Sequence, residues 1–207
     1  MFSAVHFDYY AEKYFGHLDK LPGGLGKDFM RIFYSLHDIG DSLGKTTQEK
    51  LFYNRSICTE FMIKMGFDKK KINTAEALLM GDPLGSYLKK SGGLAQATSL
   101  LPKGVQLLLK NSTPIQKILD KEQNNLANQY VPEIRAMANK AGMSYTDYFE
   151  LLTIFHTIDA GTYTTEGGSV GSLNYIFTFD KEGKKMNYSK LILPLIDKLK
   201  VAVNMAE

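Results

Sequence analysis

The sequence predicts an all-α protein, a helical bundle of roughly eight to ten helices with a possible small β-hairpin near the C-terminus. Three observations predict it. Apolar residues recur at helical spacing along most of the chain, and the breaks between those segments are short and marked by glycine or proline. Only residues 174–179, Asn-Tyr-Ile-Phe-Thr-Phe, alternate in the manner of a strand. A chain of 207 residues, 44% hydrophobic and 23% charged, suits a single domain spanning 1–207, with 174–188 as a hairpin appendage.

The elements follow in order. Residues 2–18 set Phe2, Val5, Tyr9, Tyr10, Tyr14, Phe15 and Leu18 on an aromatic-rich helical face suited to a core, with His6 and His17 in the same segment. Pro22-Gly23-Gly24-Leu25-Gly26 breaks that helix; lacking a Lys-Ser/Thr ending, it is no phosphate loop. Residues 27–34 form an amphipathic helix running into a turn that contains Gly40 and Gly44, with His37 and Asp38 on its last turn. Thr46 or Thr47 caps the next helix, with Glu49 or Lys50 in its first turn, and Gly66 closes it. Lys69, Lys70 and Lys71 read as an exposed inter-helix turn, and a helix follows over 72–80.

Asp82-Pro83 begins another helix, because proline suits the first helical position. Between 91 and 113, Gly92-Gly93 and Gly104 alternate with Leu100-Leu101 and Leu107-Leu108-Leu109, which predicts short helices packed on the core. Pro114 opens a long helical region over 115–141, interrupted or kinked near Pro132 and ended by Gly142. Ser144-Tyr145-Thr146-Asp147 starts a helix that reaches Ile158, where His156 and Asp159 share a face. Residues 161–171, rich in glycine and hydroxyls, read as a loop; Asp180-Lys181-Glu182-Gly183 reads as the turn of the hairpin. An amphipathic helix over 191–203 closes the chain, with Pro194 in its first turn.

Composition bounds the function. The net charge of +3 is a mild excess spread over lysines, with only Arg31, Arg55 and Arg135 as guanidinium groups, and gives no nucleic-acid signal. A single cysteine, Cys58, excludes an intramolecular disulfide and fits a reducing compartment. No run of eighteen apolar residues exists, and the N-terminus lacks a basic region followed by an apolar one, so the expectation is a cytoplasmic protein with no membrane partner. The aromatic N-terminal helix could present an interface, and the sequence sets no oligomeric state.

The chemistry centres on His37-Asp38. Imidazole and carboxylate are ligands that first-row divalent metals take, and neighbours near a helix end can both reach one ion. The plain alternative is a solvated helix C-terminus with a favourable imidazole. Leu36-His37-Asp38-Ile39-Gly40 resembles the central motif of the HD-domain metal-dependent phosphohydrolase superfamily, in which a hydrophobic helix ends in His-Asp-Ile-Gly. That family also places a histidine upstream and an aspartate far downstream, matched here by His17 and Asp159, so the resemblance spans about residues 10 to 165.

The resemblance implies an HD-like helical bundle and a metal-dependent phosphohydrolase acting on a small phosphoester such as a nucleotide. It also implies one divalent ion (Mn, Mg, Fe or Zn) held by His17, His37, Asp38 and Asp159. Lys45 and Arg55 follow the motif closely enough to supply charge to a phosphate, and Thr162, Tyr163 and Thr164 could donate hydrogen bonds beside Asp159. Asp82 is either an oxygen ligand or water orienter, or simply the N-cap of the Pro83 helix.

Three departures from the pattern stand out. Asp41 occupies the position where many members carry lysine. Asn54-Arg55 and Asp82 occupy the places of the histidines that hold a second metal, which argues against a two-metal centre. These changes make a catalytically inactive HD-like binding or regulatory module the alternative. His156 with Asp159 could form a catalytic dyad or an alternative metal arm, or His156 could be a core-edge residue. Cys58 falls on an apolar helix face, where a thiol is usually inert.

Overall fold

The computed structural model describes residues 7, 21–165, 176–179 and 186–205, and among them it is an all-α bundle with one two-stranded hairpin. A short 3₁₀ turn, Pro22–Gly24, precedes α1 (Lys27–Leu36), α2 (Thr47–Lys64), α3 (Lys69–Leu78) and α4 (Pro83–Ser99). Next come α5 (Lys103–Asn111), α6 (Thr113–Ala141) and α7 (Tyr145–Thr165). The strands β1 (Phe177–Phe179) and β2 (Met186–Tyr188) and the closing helix α8 (Leu193–Asn204) complete it. The strands pair antiparallel with Phe177 opposite Tyr188. The expectations for residues 2–18 other than Phe7, His17 among them, and for residues 180–183 fall outside the described residues.

Local signals set the helix ends. Thr46 Oγ1 accepts from the Glu49 N–H at 3.2 Å while the Glu49 carboxylate accepts from the Thr46 N–H at 3.1 Å, a reciprocal capping box that starts α2. Asp68 caps α3 through the Lys71 N–H at 2.9 Å, so Lys69, Lys70 and Lys71 form its first turn rather than the expected inter-helix turn. Gly142, at φ 65°, ends α6 in the left-handed conformation that only glycine adopts without strain. Pro194 sits in the first turn of α8, where its missing N–H costs nothing.

Other expectations are corrected as well. Gly92-Gly93 does not break the chain into short helices, because α4 runs through both to Ser99. Once a helix is nucleated, each glycine costs only about 1 kcal/mol and propagation continues. The same argument carries α7 through Gly161 to Thr165, into the segment read as loop. The leucine-rich stretch does not pack on the core: α5 lies on α6, and no residue from 100 to 126 is buried. α6 is unbroken across Pro132, and its buried residues, Ala127, Tyr130, Ile134, Met137, Ala138 and Ala141, begin only in its second half.

That second half is the spine of the core. α6 packs along α3, α4, α7 and α8, while α7 also meets α4, α8 and β2. On the other side of α7, Phe33 and Tyr34 of α1 meet the Phe155 ring at 5.5 and 5.7 Å, and Phe7 covers Tyr34 at 5.5 Å. Removing one such buried ring costs about 3–5 kcal/mol. This aromatic contact fixes the C-terminal end of α1 against the middle of α7 and so sets the position of His37.

Candidate metal centre

α1 buries Phe29, Met30, Phe33, Tyr34 and Leu36 on one face. His37 continues that face at the C-cap, 5% exposed, and lies edge-on to Phe155 with ring centroids 6.0 Å apart. Its Nδ1 is 2.9 Å from the Tyr34 carbonyl oxygen. A carbonyl only accepts, so Nδ1 carries the proton and Nε2 is directed to the other side. There it meets Asp159 Oδ1 at 2.9 Å and Asp38 Oδ2 at 3.0 Å.

The three potential ligand atoms of His37, Asp38 and Asp159 therefore lie within 4.8 Å of one another. His37 is buried and Asp159 is partly so, whereas Asp38 is exposed at the mouth. Burial by itself lowers the His37 pKa. Hydrogen bonds and charge from Asp159 and then Asp38 outweigh that and push it up to about 10. The metal-free cluster thus holds an imidazolium between two carboxylates. A divalent ion with a neutral imidazole would balance both carboxylate charges, which the single proton does not. A ring nitrogen backed by a carbonyl is also the usual support for a metal-bound histidine. The donor set fits a hard or borderline divalent ion.

The turn that presents Asp38 is held from α2. The Gly40 N–H donates to Asn54 Oδ1 at 2.6 Å, and Asn54 Nδ2 donates to Asp41 Oδ1 at 2.8 Å. Gly40 lies so close to α2 that a Cβ there would stand 2.6 Å from the Asn54 backbone nitrogen. Asp41 is thus tied to Asn54 and sits 3.8 Å from Lys50, a structural role in the place where a phosphate-binding lysine was the family expectation. The Asn54 clamp is a feature that sequence reasoning missed; it noted the residue only as an absent histidine.

The cluster opens into a cavity of about 150 Å³ lined also by Asn54, Asp82, Phe155 and His156. Asp82 caps α4 through the Gly85 N–H at 2.8 Å, as its N-cap reading expects; it also borders this cavity but is not among the residues whose ligand atoms converge. His156 is buried, and its Nδ1 lies 2.9 Å from the Tyr188 hydroxyl, with the two rings stacked at 6.0 Å. Burial holds its pKa below the ordinary value against the opposing charges of Asp82 and Asp159, with Lys89 adding to the lowering. It is therefore a neutral imidazole near neutral pH. Tyr188 comes from β2, and no sequence signal links it to His156.

Lys45 and Arg55 are exposed and do not line the cavity. The Lys45 backbone N–H instead meets the Glu49 carboxylate at 2.7 Å. The side chains of Thr162, Tyr163 and Thr164 and the whole of His17 are outside the described residues. Cys58 is buried with its Sγ 3.8 Å from Met62 Sδ, and burial pushes its thiol up to about 11, so it is no nucleophile. No helix among the described residues is long and apolar enough to cross a membrane. Compared with protein-family models, with the curated proteins and with the solved structures, the chain matches none of them.

Proposed function

We propose that this protein is a metal-dependent phosphohydrolase of HD-like type that acts on a small phosphoester such as a nucleotide, with His37, Asp38 and Asp159 as the protein ligands of one divalent ion. The observation that carries the reading is convergence. Residues 122 positions apart place His37 Nε2 and Asp159 Oδ1 at 2.9 Å, with Asp38 beside them and the His37 tautomer set by the Tyr34 carbonyl. A bound ion at such a site supplies Lewis acidity toward a phosphoryl oxygen and lowers the pKa of a coordinated water. His17 remains a candidate fourth ligand by resemblance alone.

The chain's own residues would do the rest. Asp82 and His156 border the cavity, and His156, with Nδ1 engaged by Tyr188, presents a neutral imidazole able to take up a proton. The cavity of about 150 Å³ corresponds to about five waters, room for a phosphoryl group and its ion. A whole nucleotide needs a site of at least about 300 Å³, so the remainder of a nucleotide substrate would lie outside. Lys45 and Arg55 would serve only a part of the substrate that extends beyond the cavity.

A second reading rests on a specific observation: among the described residues, no lysine or arginine lines the cavity. A site without a cation for phosphate suits a binding or regulatory module in which His37 and the two carboxylates simply tie α1 to α7. The test is elemental analysis of untagged protein beside His37→Ala and Asp159→Ala, followed by a phosphatase and nucleotidase screen. The proposal expects about one ion per chain, lost in both variants together with any turnover. No ion after reconstitution with manganese, iron, zinc or magnesium refutes it and leaves the module.

A further inference from the structure

From residue 100 to residue 126 no side chain is buried, although this stretch includes α5 and the first half of α6. It is nevertheless rich in large apolar residues. Leu100 is 79% exposed, Leu108 71%, and Leu107 and Ile118 60% each, with Val105 and Ile115 also exposed. On α5 the spacing gathers Val105, Leu108 and the half-buried Leu109 on one face, and Lys103, Gln106 and Lys110, with Leu107 beside them, on the opposite one. Singly exposed apolar residues are ordinary, but a contiguous group on one arm marks a surface that meets something.

Charge identifies the occupant. Residues 83–119 contain Lys89, Lys90, Lys103, Lys110 and Lys117 and not one aspartate or glutamate. The rest of the chain holds 20 basic against 22 acidic residues, so the positive excess of the protein resides in this segment. The first acid beyond it, Asp120, is engaged by Lys198 at 3.1 Å. Apolar side chains on one face of a short helix, lysines on the other and no acid within the segment suit a helix that lies in the interface of an anionic bilayer. An apolar protein partner would account for the leucines but gives no reason to exclude every acid. An acidic protein surface would account for the lysines but not for so many exposed leucines.

We infer that α5 and the start of α6 form a docking arm for an anionic membrane surface, with the Val105–Leu108–Leu109 face at the acyl boundary and Lys103, Lys110 and Lys117 among acidic headgroups. Such attachment needs no crossing helix. It is independent of the metal site, because no residue of the arm lines that cavity.

The chain has no tryptophan, so Leu108→Trp introduces a unique fluorophore at an exposed position whose replacement disturbs no core. The full-length variant is mixed with phosphatidylcholine vesicles, alone or with about one third phosphatidylserine. The expected result is a blue shift with the anionic vesicles only, reversed by high salt, and co-flotation of the native chain with the same vesicles. Lys103→Glu with Lys110→Glu should weaken that binding roughly tenfold or more. Leu108→Asp should abolish it, with an unchanged circular dichroism spectrum. Three results overturn the inference. One is no shift with anionic vesicles; another is equal binding to both compositions. The third is emission that is blue without vesicles and changes with protein concentration, which would show the arm to be a contact between copies of the chain.

Discussion

A metal that binds His37 must expel a proton, and that makes the candidate centre testable without knowing a substrate. Asp159 and Asp38 hold the imidazole pKa at about 10, so near pH 7 the metal-free protein carries a proton on Nε2, about three pH units below its release. Displacing that proton at pH 7 opposes metal binding by roughly 4 kcal/mol, from about 1.4 kcal/mol per unit. The apparent affinity for manganese should therefore rise about tenfold per unit between roughly pH 6 and pH 8. Calorimetry in two buffers of different ionisation enthalpy should find about one proton released per ion.

The same shift fixes a sign for stability. Because the folded pKa is raised, the His37 contribution to metal-free stability is fully present below the unfolded value near 6.5. It is lost as pH climbs from there toward about 10. Denaturant midpoints of the metal-free protein should fall over that window, and His37→Ala should remove the dependence. An affinity indifferent to pH, with no proton released, would mean that the ion does not bind through His37 and would refute the reasoning.

Other predictions are simpler. Gly40→Ala forces a methyl to within 2.6 Å of the α2 backbone, and should cost about 1–3 kcal/mol while displacing Asp38, read as lower denaturant stability and weaker metal binding together. Asn54→Ala leaves the buried Gly40 N–H without its partner and should cost about 1–3 kcal/mol, measured in the same denaturation assay. Cys58, buried beside Met62, should resist an aromatic disulfide reagent in the native state and react at once in denaturant; fast native reaction would show that α2 opens locally.

Residue by residue, what was legible in the sequence is what neighbours within one or two turns decide. The capping box at Thr46 and Glu49, the glycine stop at Gly142 and the first-turn Pro194 are such cases, because a helix end is satisfied by groups a few residues away. The His37-Asp38 pair was legible as well, since both residues sit at one helix end. Where local signals failed, they failed by overstatement: Gly92-Gly93 and Gly161 weaken a helix without ending it once the rest of the segment supports it.

Only the tertiary structure decided which distant groups meet. Asp159 reaches His37 because Tyr34 stacks on Phe155 and Phe33 meets that ring edge-on, one turn before Asp159 on α7. Asn54 grips Gly40, and Tyr188 orients His156, across gaps that no periodicity spans. The leucines of α5 show the limit most plainly. Their spacing announces an apolar face, but whether a face is buried depends on what packs against it, and among the described residues Val105, Leu107 and Leu108 stay exposed.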